Sequence, residues 1–289
     1  MQRVMILGAG AAQVPLIQTA QAMGYETVVA TIPGPYPGIQ AADIVSYTDI
    51  TDCEAIAAAA AEYGVSGIAT CCLETGLKAL AYACDKLGLP GITPAAAEIS
   101  VNKLAMKQAF RAHGVLSAKF HLLERETDLA AAVTEIGFPM VIKAVDLQGS
   151  SGVYFVSTPE EAEEAFRKSI SLTRKDYCIA EAFISGDNIG AEAFVQNGEI
   201  LFVLPDGTVS HKGSVNIPIG HFAPLNRSEA VREGICREVE KAIRACGFDN
   251  CAVNVDLVLH GDEPYIIELT ARAGATCLPE LVSIYYGID

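Results

Sequence analysis

The stretch Phe138-Pro-Met-Val-Ile-Lys143-Ala-Val-Asp-Leu-Gln148-Gly149-Ser150-Ser151-Gly152-Val153 decides the reading of this chain. A short apolar run ends on a lysine, a loop of small and amide residues follows, and a second apolar run restarts at Val153–Val156. The lysine is a compact positive charge. The loop carries little side-chain bulk, so its N–H groups can approach phosphate oxygens closely. A strand, a lysine and a Gly-Ser loop in that order suit a polyphosphate. They also suit an ordinary hairpin with a surface lysine, and the surrounding sequence must choose between the two.

Just upstream, Thr127-Asp128 starts a short helix that ends at Gly137. Just downstream, Thr158-Pro159-Glu160-Glu161 combines a cap residue, Pro at the first helical position and Glu at the third, a strong helix start. That helix ends near Ser169, and Tyr177–Ile184 is the next strand. A small antiparallel sheet with two helices fits this order over residues 117–184. Before it, residues 1 to about 95 alternate strand and helix: Val4–Leu7, a helix from Ala12 to Met23, then strands Glu26–Thr31, Ile44–Tyr47 and Gly67–Thr70 with helices between them. Repeated βα units with short links predict a parallel sheet covered on both faces. One helix from Ala95 to His113, bearing Asn102 and Lys103, links the two parts. After Asn188, an Asn197-Gly198 turn predicts a hairpin of Gly190–Val195 with Glu199–Leu204. His211–Pro224 reads as a long irregular but ordered segment, and Val231–Cys246 as an amphipathic helix. Cys251–Leu259 and Tyr265–Leu269 form a second hairpin. The fold class is α/β: a Rossmann-like unit (1–100), a linking helix (101–116), and a two-lobed α+β part (117–184 and 185–289).

Composition narrows the function. The 289 residues are 51% hydrophobic with a net charge of −15. Phosphate-backbone binding needs a surplus of Lys and Arg, so nucleic acid is excluded as a partner. Nine cysteines without a Cys-x-x-Cys pair read as reduced thiols, and five histidines lack zinc spacing. No apolar run is long enough for a membrane span, and the apolar start runs straight into Gly8-Ala-Gly10 rather than a signal peptide. A cytoplasmic protein without a membrane partner is the expectation, and the acidic surface leaves a homodimer open.

Four constellations carry possible chemistry. Gly8-Ala-Gly10-Ala-Ala-Gln13 is a partial dinucleotide fingerprint. Gln13 replaces its third glycine, and no acid ends the second strand, which disfavours a nicotinamide oxidoreductase. Glu74 lies at the same expected edge of the first sheet. Asp256 and Glu268 sit in otherwise apolar strands of one hairpin, where they can be cross-strand neighbours. Two adjacent carboxylates repel unless a cation joins them, and oxygen ligands suit Mg²⁺. Arg272 follows Glu268 by four residues, at the exit into a Gly/Ala loop, where a guanidinium can steady a phosphate or a carboxylate. Glu181 ends a strand as Glu181-Ala182-Phe183-Ile184, where a carboxylate and backbone groups can read an adenine edge.

Taken in order, these pieces resemble the ATP-grasp superfamily, of the biotin carboxylase and carbamoyl-phosphate synthase type. The Pro218-Ile-Gly220-His221-x-x-Pro224 segment and the Gly274-Ala-Thr276-Cys277 tail further resemble carboxylate–amine ligases related to L-amino acid ligases. The resemblance implies ATP and Mg²⁺. Lys103 and Lys143 would hold ATP phosphates, and the loop Gln148, Gly149, Ser150, Ser151, Gly152 would close over them. Glu181 with the backbone of Ala182 and Phe183 would read adenine, and Asn188 would stand where relatives often place a ribose-binding glutamate. Asp256, Glu268 and Thr270 would hold Mg²⁺, with Thr270 in place of the family's usual asparagine. Lys143 and Arg272 would serve catalysis, with Glu74, His221 and Arg272 contacting small-molecule carboxylate and amine substrates. The implied reaction passes through an acyl phosphate and releases ADP and phosphate; a nucleotide-binding regulator without turnover is the alternative. Many relatives continue well past Asp289, so the chain's end fits either a shortened chain or a short member.

Overall fold

In the computed structural model of the protein, residues 1–149, 151–212 and 216–287 are described. The first unit alternates β1 (Arg3–Leu7), α1 (Val14–Ala22), β2 (Glu26–Ala30), α2 (Pro37–Ala41), β3 (Ile44–Ser46), α3 (Cys53–Tyr63), β4 (Gly67–Ala69) and α4 (Leu77–Leu87). Its strands pair in parallel in the order β3-β2-β1-β4. The order reverses between β1 and β4. The crevice beyond their carboxyl ends is where open α/β sheets receive ligands.

The expected single helix from Ala95 to His113 is two: α5 (Pro94–Ser100) and α6 (Lys103–His113). The break has a local cause. Asn102 is extended and its side chain accepts from the N–H groups of Leu104 and Ala105, so it caps a new helix rather than continuing the old one. That cap sets Lys103 at the first position of α6.

The next unit adds β5 (Phe120–Leu123), α7 (Leu129–Ile136), β6 (Met140–Ala144), β7 (Val153–Val156), α8 (Pro159–Leu172) and β8 (Cys178–Ala182). Its strands form a four-stranded antiparallel sheet in the order β5-β8-β6-β7. Alternation along β6 gives it two faces. Met140 and Ile142 pack with Leu123, Leu129, Ala162 and Phe166 into a core of their own. Val141 and Lys143 face the other way.

The last unit contains β9 (Asp187–Gln196), β10 (Glu199–Lys212), β11 (Asn216–Phe222), α9 (Glu229–Cys246), β12 (Cys251–His260), β13 (Glu263–Thr270) and α10 (Leu278–Tyr286). Its antiparallel sheet runs β11-β10-β9-β12-β13. The segment 211–224, read as irregular, is therefore mostly strand: β10 continues to Lys212 and returns as β11. Pro218 is tolerated because β11 is the edge strand, where a missing N–H costs no central ladder bond. A second, larger core joins Met5 and Leu7 of the first sheet through Met106 and Phe110 of α6 to Ile235, Val239 and Leu269. One face of the β5–β8 sheet thus stands on a separate apolar core, its other face packs Phe120, Val145 and Ile179 with Leu104 of α6, and the first and last units share the larger core.

Candidate active site

The last sheet sets the site by register. Asp206 on β10 lies opposite Gly190 on β9, Gly190 opposite Asp256 on β12, and Asp256 opposite Glu268 on β13. The neighbouring row reads Leu204, Glu192, Asn254, Thr270. Directly opposed residues share a face, so Asp256 and Glu268 stand side by side with Thr270 one row away. All three line a cleft of about 440 Å³, together with Glu74, Lys103, Lys143, Gln148, Gly149, His221, Asn254 and Arg272.

Electrostatics divides the carboxylates. Asp256 meets solvent inside the cleft, yet the surrounding wall and then Glu268 push its pKa up to about 6. Burial also works against charge on Glu268, but Lys103, Lys143 and Arg272 outweigh it and hold the carboxyl below its ordinary value. Lys103 donates to Glu268 Oε1 at 2.9 Å and to the Leu147 carbonyl at 2.9 Å. Asp256 is left facing an ionised neighbour with no hydrogen bond of its own among the described residues. Thr270 Oγ1 is buried and also lacks a partner there. Two carboxylates and a free hydroxyl fit Mg²⁺, which is commonly held by one or two carboxylates plus substrate phosphates. Among the described residues no group of three His, Cys, Asp or Glu side chains forms a ready metal cage.

Lys143 crosses from the other wall. Its ammonium lies 3.0 Å from Glu181 Oε1, and Lys107 lies 3.1 Å from Glu181 Oε2. Glu181, read from the sequence as a strand-end carboxylate that can read an adenine edge, thus has its side chain between two lysines. The side chain points into the protein, where burial opposes its charge but Lys107 and Lys143 hold its pKa low. The N–H groups of Ala182 and Phe183 are occupied as well, donating to the carbonyls of Lys119 and Pro139. What this hinge still offers a flat base is carbonyl oxygens and the Phe183 ring, edge-on to exposed Phe155 at 5.7 Å. Asn188 is exposed at the start of β9 and does not line the cleft.

Between β6 and β7 the backbone makes two local contacts. The Ser151 N–H donates to the Gln148 carbonyl at 3.2 Å, and the Gly152 carbonyl accepts from Ala144 N at 3.0 Å. Gly152 has φ +69°, and a Cβ there would meet Ala144 Cβ at 3.0 Å, so the return into β7 needs glycine. Ser150 falls outside the described residues.

Arg272 forms the far end. It pairs with Glu74 and donates from Nη1 to Asn254 Oδ1 at 3.1 Å and to the Ala273 carbonyl at 3.1 Å. Glu74 comes from the loop after β4, at the switch point of the first sheet, so the two α/β parts meet at this ion pair. His221 Nε2 lies 2.8 Å from Thr276 Oγ1, and its Nδ1 lies 3.4 Å from buried Asp206. Gln13 explains the incomplete fingerprint at β1. Its Oε1 accepts from Gly10 N at 3.0 Å and its Nε2 donates to the Cys71 carbonyl at 2.6 Å, so a side chain fills the turn.

A family model of the ATP-grasp domain matches residues 101–276, more than half of the chain. The chain belongs to the ATP-grasp family. It is 30% identical over 218 residues to alanine–anticapsin ligase of Bacillus subtilis (strain 168), a match spanning 67% of this chain and 46% of that one. It is 25% identical over 189 residues to D-alanine–D-alanine ligase of Cupriavidus pinatubonensis (strain JMP 134 / LMG 1197), spanning 63% of this chain and 57% of the relative. The crystal structure of phosphoribosylglycinamide synthetase from Anaerococcus prevotii superposes with a TM-score of 0.84 at 40% identity, covering 98% of this chain and 71% of that one. L-amino acid ligase from Bacillus licheniformis shares the fold, with a TM-score of 0.75 at 24% identity, covering 99% and 69%. The chain spans about half the length of the curated relatives it matches.

Four polar residues in or behind this cleft escaped the reading of the sequence: Lys107, Glu192, Asp206 and Asn254. Two had local signals. Lys107 follows Lys103 by four residues and so shares its helix face, and Asn254 precedes Asp256 by two and so shares its sheet face. Glu192 and Asp206 had only the oddity of an acid inside an apolar strand.

Proposed function

We propose that this chain is an ATP- and Mg²⁺-dependent carboxylate–amine ligase working through an acyl phosphate, with ADP and phosphate as products. The observation that carries the reading is the Asp256–Glu268 cross-strand pair in one cleft with Lys103, Lys143 and Arg272. Transfer of a phosphoryl group needs positioning and charge neutralisation more than covalent help from the protein. Lys103 and Lys143 would exchange their carboxylate partners for ATP phosphates, and Gln148–Gly152 would cover them. Asp256, Glu268 and Thr270 would hold Mg²⁺, which supplies charge neutralisation across the phosphates. Arg272 would steady the carboxylate as it is phosphorylated, and an amine would then attack and expel phosphate. The carbonyl groups and Phe183 ring of the hinge would receive adenine, with Asn188 near the ribose.

The substrates are then a small-molecule carboxylate and an amine, contacted by Glu74, His221 and Arg272. Residues 1–100 would supply the wall bearing Glu74, 101–116 the link bearing Lys103, 117–184 the lid and 185–289 the metal side. Among the described residues no helix is long and apolar enough to cross a membrane. Substituting Glu268→Gln tests the metal assignment. Loss of even an outer-shell partner typically costs about 10–100-fold, so loss of a ligand should lower turnover at least that far and raise the Mg²⁺ concentration required. Intact turnover in this variant would remove Glu268 from the metal site.

A further inference from the structure

We infer that Glu192 and Asn254 are positioning residues that fix the Arg272 guanidinium at Nη1, while Glu74 holds Nη2. Glu192 on β9 is only 4% exposed, and it lies directly opposite Asn254 on β12. Its Oε1 accepts from Asn254 Nδ2 at 2.7 Å, and Asn254 Oδ1 accepts from Arg272 Nη1 at 3.1 Å. Its other oxygen, Oε2, accepts from the Gly274 N–H at 3.0 Å, two residues past the arginine. One buried side chain therefore holds both the arginine's partner and the arginine's own loop.

The chemistry fixes the direction of this chain. A guanidinium only donates, so the amide must turn its oxygen to Arg272, and this leaves its NH₂ to donate to Glu192. Gly274 makes the loop's approach possible, since a Cβ there would come within 2.5 Å of Glu192 Oε1 and 2.5 Å of Leu278 Cδ1.

The device also answers an electrostatic problem. Arg272 stands among Glu74, Asp256 and Glu268, and a loose guanidinium would collapse onto the metal carboxylates. A neutral amide holds it without adding another negative charge to the cleft. Glu192 lies under the loop, so it acts through Asn254 and the Gly274 backbone rather than on substrate.

The kinetic consequence rests on the ligase reading; the geometric one does not. The test compares Asn254→Ala and Glu192→Ala with the wild type by crystal structure without ligands and by carboxylate-stimulated ADP release. The expected result is an Arg272 guanidinium displaced from its wild-type place in both variants. Turnover should fall about tenfold or more, the size typical of lost outer-shell partners, while the KM for ATP stays within about threefold. Asn254→Gln, with the same groups on a longer arm, should recover part of the loss. An unmoved guanidinium in Asn254→Ala would overturn the inference, as would turnover and ATP affinity falling together. Should Glu192→Ala not fold, Asn254→Ala, which removes no buried acid, decides the matter alone. A wild type without carboxylate-stimulated ADP release would count against the ligase reading, and the position of Arg272 would still settle this one.

Discussion

Glu181 holds two lysine ammonium groups while itself only 2% exposed. Removing one member of such a buried ion group leaves the others charged and unpaired, which typically costs about 3–5 kcal/mol. Glu181→Ala should therefore lower unfolding free energy by about that amount in a urea titration. A loss within the noise of a surface substitution would mean that solvent reaches the lysines. Glu192 behaves in the opposite way. Burial raises its pKa from 4.5 to about 8, against hydrogen bonds from Gly274 and Asn254. Between those values the folded protein binds a proton that the unfolded chain has released, so its contribution to stability falls as pH rises from about 4.5 to about 8. Unfolding measured across this window should show a shallower decline for Glu192→Gln than for the wild type. Parallel profiles would mean that Glu192 stays ionised in the folded protein.

At the scale of elements, the capped start of α6 is what aims Lys103 across the cleft. The Lys103 N–H donates to the Val145 carbonyl at 2.9 Å, tying the helix start to the segment that follows β6. Asn102→Ala should cost about 1 kcal/mol, the usual size for a lost N-cap, and weaken ATP binding through a less fixed Lys103. Calorimetry showing unchanged ATP affinity would separate the cap from the site. The elements also show what was legible beforehand. The hairpin carrying Asp256 and Glu268 was readable from its apolar strands and turn, but their pairing depends on a bulge between Asp256 and Leu257, since an unbroken register would set Asp256 opposite Ile267. The strand lysine Lys143 was readable for a similar local reason. By contrast, Lys103–Glu268, Glu74–Arg272 and Glu192–Gly274 join residues far apart in the chain, and no local period encodes them. The strands of 211–224 were missed because Gly, Pro and His break any alternation, and an edge strand accepts them.

At the scale of the molecule, the two largest apolar cores divide the labour. The first and last units share one, which fixes Arg272, Glu74, Asp256 and Glu268 relative to each other. One face of the β5–β8 sheet has its own core, and in the proposed reaction this sheet would move as a body and bring Lys143 onto a nucleotide. Binding that closes such a lid stabilises the fold by mass action. ATP with Mg²⁺ at 100 times its Kd should add about 2.7 kcal/mol, read as a raised melting temperature that EDTA reduces. No rise at saturating nucleotide would mean that the cleft does not hold ATP.

The central claim is chemical, and one assay reaches it directly. ADP and phosphate release should be measured with ATP, Mg²⁺ and a panel of amino acids and other carboxylates, each with and without an added amine. The account predicts release that depends on one carboxylate and one amine, in equal amounts of ADP, phosphate and amide product, and that is lost in Lys143→Met. Tight ATP binding by the intact protein, with no carboxylate stimulating ADP release, would contradict it and leave a nucleotide-binding regulator in its place.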